Sequence, residues 1–215
     1  MYKIAICGKA NTGKNTLAKL LEQEIYNKIN TEYQAKLTTP SALSWTQFSW
    51  KSMAFADPIK EIVTIMFPNA NKECLYGPSQ LRAEPIPGAF KAGKPLTYRQ
   101  ALIDIGTEVG RAYNDKLWLE NFDHRYEDSL IKNKLNLVVV TDVRFRNEFD
   151  HLKKKGFFQI RLYRDTGKVS EINHVSETNQ NSIKDEEFDY VVFNNKSLAE
   201  LQEEVRVNIV PRLKP

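Results

Sequence analysis

Two cysteines, Cys7 and Cys74, are all that this 215-residue chain contains, and neither has a second Cys or a His at metal-ligand spacing. That excludes a disulfide framework and argues against a structural zinc site. Long apolar runs are missing as well. No stretch approaches the ~20 residues that a membrane-spanning helix requires. The start, Met-Tyr-Lys, leads straight into a short strand pattern, so no signal peptide is expected. The expectation is a soluble, cytoplasmic protein with no membrane partner. An excess of one charge is lacking too: 31 Lys and Arg stand against 27 Asp and Glu, a net +4. A nucleic-acid binder concentrates basic residues on one face. The one dense basic run here, Lys153-Lys154-Lys155, reads instead as a solvated helix C-terminus. Stable nucleic-acid binding is therefore not expected, and so small a surplus suits a protein that handles small phosphate anions.

What the chain does hold is five short β-branched or aromatic runs: Tyr2 to Cys7, Trp50 to Ala56, Leu135 to Thr141, Phe157 to Tyr163 and Asp189 to Phe193. The first, third and last are nearly continuous apolar runs, as strands buried on both faces should be. Helical spacing lies between them, in Leu17, Leu20, Leu21 and Ile25; in Trp118, Phe122 and Tyr126; in Phe145, Phe149 and Leu152; and in Leu198, Leu201, Val205 and Ile209. Ser197 with Glu200 and Thr97 with Gln100 have capping-box spacing. Asp57-Pro58 places a cap residue before a proline at the first helical position. Strands alternating with helices predict an α/β fold with a five-stranded, mostly parallel, doubly wound sheet and helices on both faces. A single domain of 1–215 is expected, with a helical insertion over 57–133 and a lid-like segment over 164–188. Pro68 to Pro95 holds eight of the eighteen Gly and Pro residues and reads as a long irregular excursion.

The most informative stretch is Gly8-Lys9-Ala10-Asn11-Thr12-Gly13-Lys14-Asn15-Thr16 (GKANTGKNT), directly after the first strand and opening the first helix. That is the setting of a phosphate-binding P-loop. Gly8 and Gly13 let the backbone turn tightly and approach phosphate oxygens, with successive N–H groups pointing at the anion from a helix N-terminus. Lys14 adds a full positive charge. The strict pattern has Ser or Thr directly after the Lys; here Asn15 intervenes before Thr16, an order also found in adenylate-kinase-like enzymes.

A second cluster, Asp142 and Arg144, closes the third strand, and ligands in open α/β sheets gather beyond the carboxyl ends of strands. Asp142 there can hold Mg²⁺ and Arg144 can clamp a phosphoryl group in transfer. The alternative is that Asp142 caps the next helix and Arg144 is surface charge. Between the second and third strands lie Arg82, Arg99 and Arg111, candidates to read phosphate with a planar fork. Gly106 and Gly110 interrupt a helical pattern there, at ~1 kcal/mol each against Ala. Trp118 is a candidate to stack on a base, although its spacing with Phe122 also fits the core. Arg164 opens the polar lid-like segment, which has few apolar anchors and contains His174.

Taken in order, GKANTGKNT, FADPIKE at Phe55 to Glu61, YRQALIDIGTEVGR ending at Arg111, Trp118, TDVRFRNE at Thr141 to Glu148, HVSE at His174 and Asn194 resemble the deoxynucleoside monophosphate kinases of bacteriophages, within the adenylate-kinase-like P-loop kinases. The resemblance implies that Gly8 to Thr16 binds the ATP phosphates and that Asp142 and Arg144 belong to the catalytic centre; Lys14 is read as part of that centre, Thr16 and Asp142 as the groups that hold Mg²⁺, and Arg164 as a cation on the ATP side. It implies that Arg99 and Arg111 face a (deoxy)nucleoside monophosphate acceptor, with Arg82 and Trp118 as further candidates by position; small nucleotides are the expected partners, a homodimer is left open, and the host cytoplasm is the expected location for a phage-encoded protein. Asn15 departs from the acidic residue often found at its position. The rival readings are a P-loop kinase for another small phosphorylated acceptor, such as phosphomevalonate or dephospho-coenzyme A, and a P-loop nucleotide binder that is not a kinase.

Overall fold

A computed structural model describes residues 1–36, 48–165 and 179–215. In chain order the strands are β1 (Tyr2–Cys7), β2 (Trp50–Met53), β3 (Pro85–Lys91), β4 (Lys94–Thr97), β5 (Leu137–Val143), β6 (Phe158–Tyr163) and β7 (Tyr190–Phe193). The α-helices are α1 (Lys14–Lys36), α2 (Asp57–Met66), α3 (Lys72–Tyr76), α4 (Tyr98–Ile103), α5 (Leu117–Lys132), α6 (Arg146–Lys154) and α7 (Leu198–Glu204). The chain divides into two compact units, one made of Met1–Met53 and Leu130–Pro215, the other of Ala54–Ser129. No helix among the described residues is long and apolar enough to cross a membrane.

The first unit is built on a five-stranded, all-parallel sheet in the order β2-β5-β1-β6-β7. All five expected runs are in it. The central position of β1 explains why its sequence is unbroken apolar: Ile4, Ala5, Ile6 and Cys7 are fully buried, each covered on its own face. Ile4, Ile6, Leu137, Val139, Ile160 and Leu162 share a core with Leu17, Leu21 and Ile25 of α1 and with Leu201, Val205 and Ile209 of the C-terminal helix. Burying a side chain such as Leu21 stabilises by about 1.5–3 kcal/mol. The intervening residues Ala5, Cys7, Val138, Val140, Gln159 and Arg161 point to the other face by the strand's period of two. The edge strands β2 and β7 have four residues each, the brevity by which native sheets blunt their edges.

β6 and β7 each begin one residue later than the sequence reading, and larger differences fall at β2 and β5. β2 stops at Met53 because the chain turns into α2, and the Asp57 carboxylate accepts the Ala54 N–H at 2.9 Å. Asp57 is thus the first helical residue, with Ala56 at the cap. β5 runs two residues later than expected, to Val143, and takes Asp142 into the strand. The Ser197–Glu200 capping box is present, and the Thr97 hydroxyl accepts the Gln100 N–H.

The second unit contains α2, α3, α4, the hairpin β3–β4 and α5 as far as Ser129. Its core gathers Val63, Leu75, Ile86, Leu96, Tyr98 and Ala101. Here the sequence reading is corrected: Pro68 to Pro95 is not irregular but carries α3, a 3₁₀ turn at Ser79–Ala83 and the β3–β4 hairpin. Pro85, Pro87 and Pro95 fit because a two-stranded ribbon has two outer edges, where a missing N–H removes no ladder bond. The hairpin closes through Ala92 and Gly93, with φ 50° and 76°, the two positive values that a tight primed turn demands. α4 continues into a wider, π-wound segment, Asp104–Arg111.

Candidate active site

The Gly8–Thr16 loop leaves the C-terminal end of β1 and enters α1. A Cβ on Gly8 would stand 2.6 Å from the Leu162 backbone oxygen, so only glycine fits against β6. Asn11 (φ 63°) and Gly13 (φ 99°) take left-handed backbone, which winds the loop back on itself. The Thr12 hydroxyl donates to the Lys9 carbonyl at 2.9 Å, and the Lys14 ammonium donates to the Gly8 and Lys9 carbonyls at 2.7 and 2.6 Å. A full positive charge is therefore folded into the loop at the start of a 23-residue helix that has no acidic residue in its first turn. Helix N–H groups, the helix dipole and an ammonium converge there, a setting suited to an anion. Lys9, Asn15 and Thr16 are exposed, and Ala10 is half-buried.

β5 lies beside β1, and Val143 pairs with Cys7. The sheet thus brings Asp142 and Arg144 to the same end as Gly8, although more than 130 residues separate them in sequence. Behind them Glu148, buried in the first turn of α6, accepts the backbone N–H groups of Arg144 and Phe145 at 2.8 and 3.1 Å. This carboxylate sets the turn that follows the strand. Burial pushes the Cys7 thiol up to about 11, although Arg161, Lys14 and Arg144 all pull it down. At neutral pH Cys7 is a protonated core group, not a nucleophile.

Arg164 follows β6 and is exposed. His174 and Glu177 lie outside the described residues. The described end of the lid-like segment, 179–188, is anchored by the few apolar residues it has: Ile183 and Phe188 are buried. The Arg161 guanidinium donates to the Gln180 and Ile183 carbonyls at 3.1 and 2.6 Å, which fastens this stretch to β6.

In the second unit, Arg99 donates to the Ser79 carbonyl at 3.2 Å, the first residue of the 3₁₀ turn that carries Arg82. Arg82 in turn reaches the Leu75 carbonyl at 3.4 Å. Arg111 lies near Asp115, 3.5 Å away. Arg99 and Arg111 are twelve residues apart, near opposite ends of one continuous helical run, about 18 Å at α-helical rise. Trp118 is 5% exposed, and its indole N–H donates to the Gly106 carbonyl at 2.7 Å. Its ring is thus part of the unit's packing.

The π-wound segment explains both glycines. A Cβ on Gly110 would overlap Trp118 Cζ2 and stand 2.9 Å from the Ile105 carbonyl oxygen. On Gly106 it would meet the tip of Ile59 at 2.7 Å, a flexible end that can move. Gly110→Ala is therefore expected to destabilise by about 1–3 kcal/mol through overpacking, reversing the ~1 kcal/mol that helix propensity alone would return. Gly106→Ala is expected to be milder. Urea melts of the two variants measure the difference, and a more stable Gly110→Ala protein would refute the packing account.

Glu148 and Asn194, though part of the motifs named above, make contacts that those motifs do not announce. Glu148 stands at capping-box distance from Phe145, which has no side-chain acceptor, so the pattern is half complete. Asn194 follows β7 and reaches Thr12, a contact that no local spacing signals.

The sequence profile of the deoxynucleotide monophosphate kinase family matches residues 88–205. A protein of Acanthamoeba polyphaga mimivirus, provisionally named a deoxynucleotide monophosphate kinase, is 30% identical over 176 residues, 78% of this chain and 87% of that protein.

Proposed function

Since this chain belongs to the deoxynucleotide monophosphate kinase family, we propose that it transfers the γ-phosphoryl group of ATP to deoxynucleoside monophosphates, giving the diphosphates. The observation that carries this reading is the Lys14 ammonium folded over the Gly8 and Lys9 carbonyls at the end of β1, beside the Asp142–Arg144 end of β5. The loop Gly8–Thr16 holds the donor phosphates with its N–H groups, and Arg164 adds a cation on the donor side. Lys14 and Arg144 neutralise charge as it spreads over the equatorial oxygens of the transferring group. An oxygen of the acceptor phosphate forms the new P–O bond while the bond to the donor's bridging oxygen breaks, so no protein nucleophile is required. The protonated state of Cys7 agrees with that.

The Thr16 hydroxyl and the Asp142 carboxylate are the groups proposed to hold Mg²⁺, which when bound supplies Lewis-acid neutralisation of phosphate oxygens. The donor set fits such an ion. Among the described residues no group of three or more His, Cys, Asp or Glu could hold a metal by itself. Mg²⁺ keeps several waters and binds through one or two carboxylates together with substrate phosphates.

On the acceptor side we assign Arg99 and Arg111, with Arg82 on the same turn as the Arg99 contact. Their separation along the helix gives each a different part of the acceptor. Arg99→Ala and Arg111→Ala are each expected to raise the KM for the monophosphate by about 10- to 150-fold, the weight of a charge-assisted contact, with a smaller effect on the KM for ATP. Steady-state kinetics with each substrate varied in turn measure this. A defect confined to ATP would move the acceptor site elsewhere. The reading as a whole is tested by ADP release across all deoxynucleoside and ribonucleoside monophosphates. Release only with another phosphorylated small molecule, or with no acceptor at all, would overturn it.

A further inference from the structure

Asn194, the residue after β7, sends its side chain 182 positions back along the sequence to the Gly8–Thr16 loop. Its Nδ2 donates to the Thr12 carbonyl at 2.8 Å, in a buried setting. The same amide covers Gly13, where a Cβ would stand 2.6 Å from Nδ2. Asn194 is itself held on both sides. Its backbone N–H donates to the Tyr163 carbonyl at 2.8 Å, and the next side chain, Asn195 Oδ1, accepts the Asp165 N–H at 2.7 Å. Asn194 is 9% exposed.

The physical consequence lies in the Thr12–Gly13 peptide plane. No peptide bond among the described residues is cis, and a trans peptide points its N–H opposite to its C=O. A carbonyl bonded to Asn194 therefore turns the Gly13 N–H to the other side. Gly13, at φ 99°, has the conformational freedom to let this plane rotate, because glycine accepts both signs of φ. Rotation would exchange a donor for a carbonyl oxygen, and a carbonyl repels an anion that an N–H attracts. We infer that Asn194 is a positioning residue for the phosphate loop: it locks the Thr12–Gly13 peptide so that the Gly13 N–H faces the donor phosphates. The inference rests on the donor-site reading above and adds the group that sets that site's geometry.

The test compares Asn194→Leu, which keeps the volume over Gly13 and carries neither donor nor charge, with Asn194→Ala. ADP binding by calorimetry serves as a readout that needs no acceptor and no turnover. Both variants are expected to bind ADP on the order of 10-fold more weakly or worse, and Leu the more so because it denies the Thr12 carbonyl a water partner. The KM for ATP rises while the KM for the monophosphate stays near that of the unmodified chain. The Gly13 amide resonance of the ADP-bound protein shifts, reporting the peptide plane directly. Should the Leu variant fail to fold, the Ala variant carries the same three readouts. Unchanged ADP affinity and an unchanged Gly13 amide in a folded variant would overturn the positioning role and leave the phosphate loop assigned. Absence of ADP binding by the unmodified chain would overturn both.

Discussion

Lys14→Ala is expected to lower turnover by about 10²–10³-fold, equivalent to ~3–4 kcal/mol of transition-state stabilisation, while leaving the fold intact. The two halves of that expectation have separate grounds. The ammonium donates to the carbonyls of Gly8 and Lys9, six and five residues away, and takes no part in the core around Leu17 and Leu21. Lys14 is also the first residue of α1, where alanine is a good helix former, so the helix start is not weakened. The loss of rate follows from preorganisation. The protein already holds the charge in the loop before substrate arrives, so little reorganisation is needed during reaction, and no neighbouring acid in the first helical turn offsets it. Initial rates with a monophosphate acceptor, alongside a thermal melt of the variant, measure both halves. Normal turnover in a correctly folded Lys14→Ala protein would remove this loop from the chemistry.

The loop and the sheet were open to sequence reasoning because their requirements are local. A strand covered on both faces must be apolar throughout, as Ile4 to Cys7 are, and a backbone that approaches Leu162 and turns at positive φ must use Gly8 and Gly13. The hairpin at Pro85–Thr97 was hidden for the opposite reason. Its prolines read as loop residues, and they are tolerable because, among the described residues, the ribbon pairs with no third strand. Trp118 was ambiguous between a base platform and the core until its N–H was found on the Gly106 carbonyl. Asn194 matters through Thr12, a pairing created by β7 lying next to β6 and β6 next to β1. Arg161 lies within the apolar run of β6, and its burial is explained by the Gln180 and Ile183 carbonyls that receive its guanidinium. In each case the missing information was tertiary: which distant backbone group takes up a buried polar atom.

Arg144→Lys is expected to lower kcat on the order of 10²-fold with ADP affinity little changed, although the charge is conserved. The position of Arg144 is set from behind, by its own backbone N–H on the buried Glu148 carboxylate, so the substitution alters the side chain and not its origin. What is lost is the planar fork. A guanidinium presents paired, rigidly oriented donors that match two oxygens of a phosphoryl group, whereas an ammonium offers a point charge on a flexible stem. If charge alone mattered at the end of β5, lysine would serve and kcat would hold. If the fork matters, the defect appears in kcat and spares the binding of ADP, because the contact is made most strongly to the group in transfer. Glu148→Gln separates placement from chemistry. It keeps a carbonyl oxygen in reach of the Arg144 and Phe145 N–H groups and leaves the fork untouched, so its kcat is expected to fall less than that of Arg144→Lys. A lysine variant with nearly full kcat would make Arg144 a surface charge and leave Lys14 as the principal cation of the site.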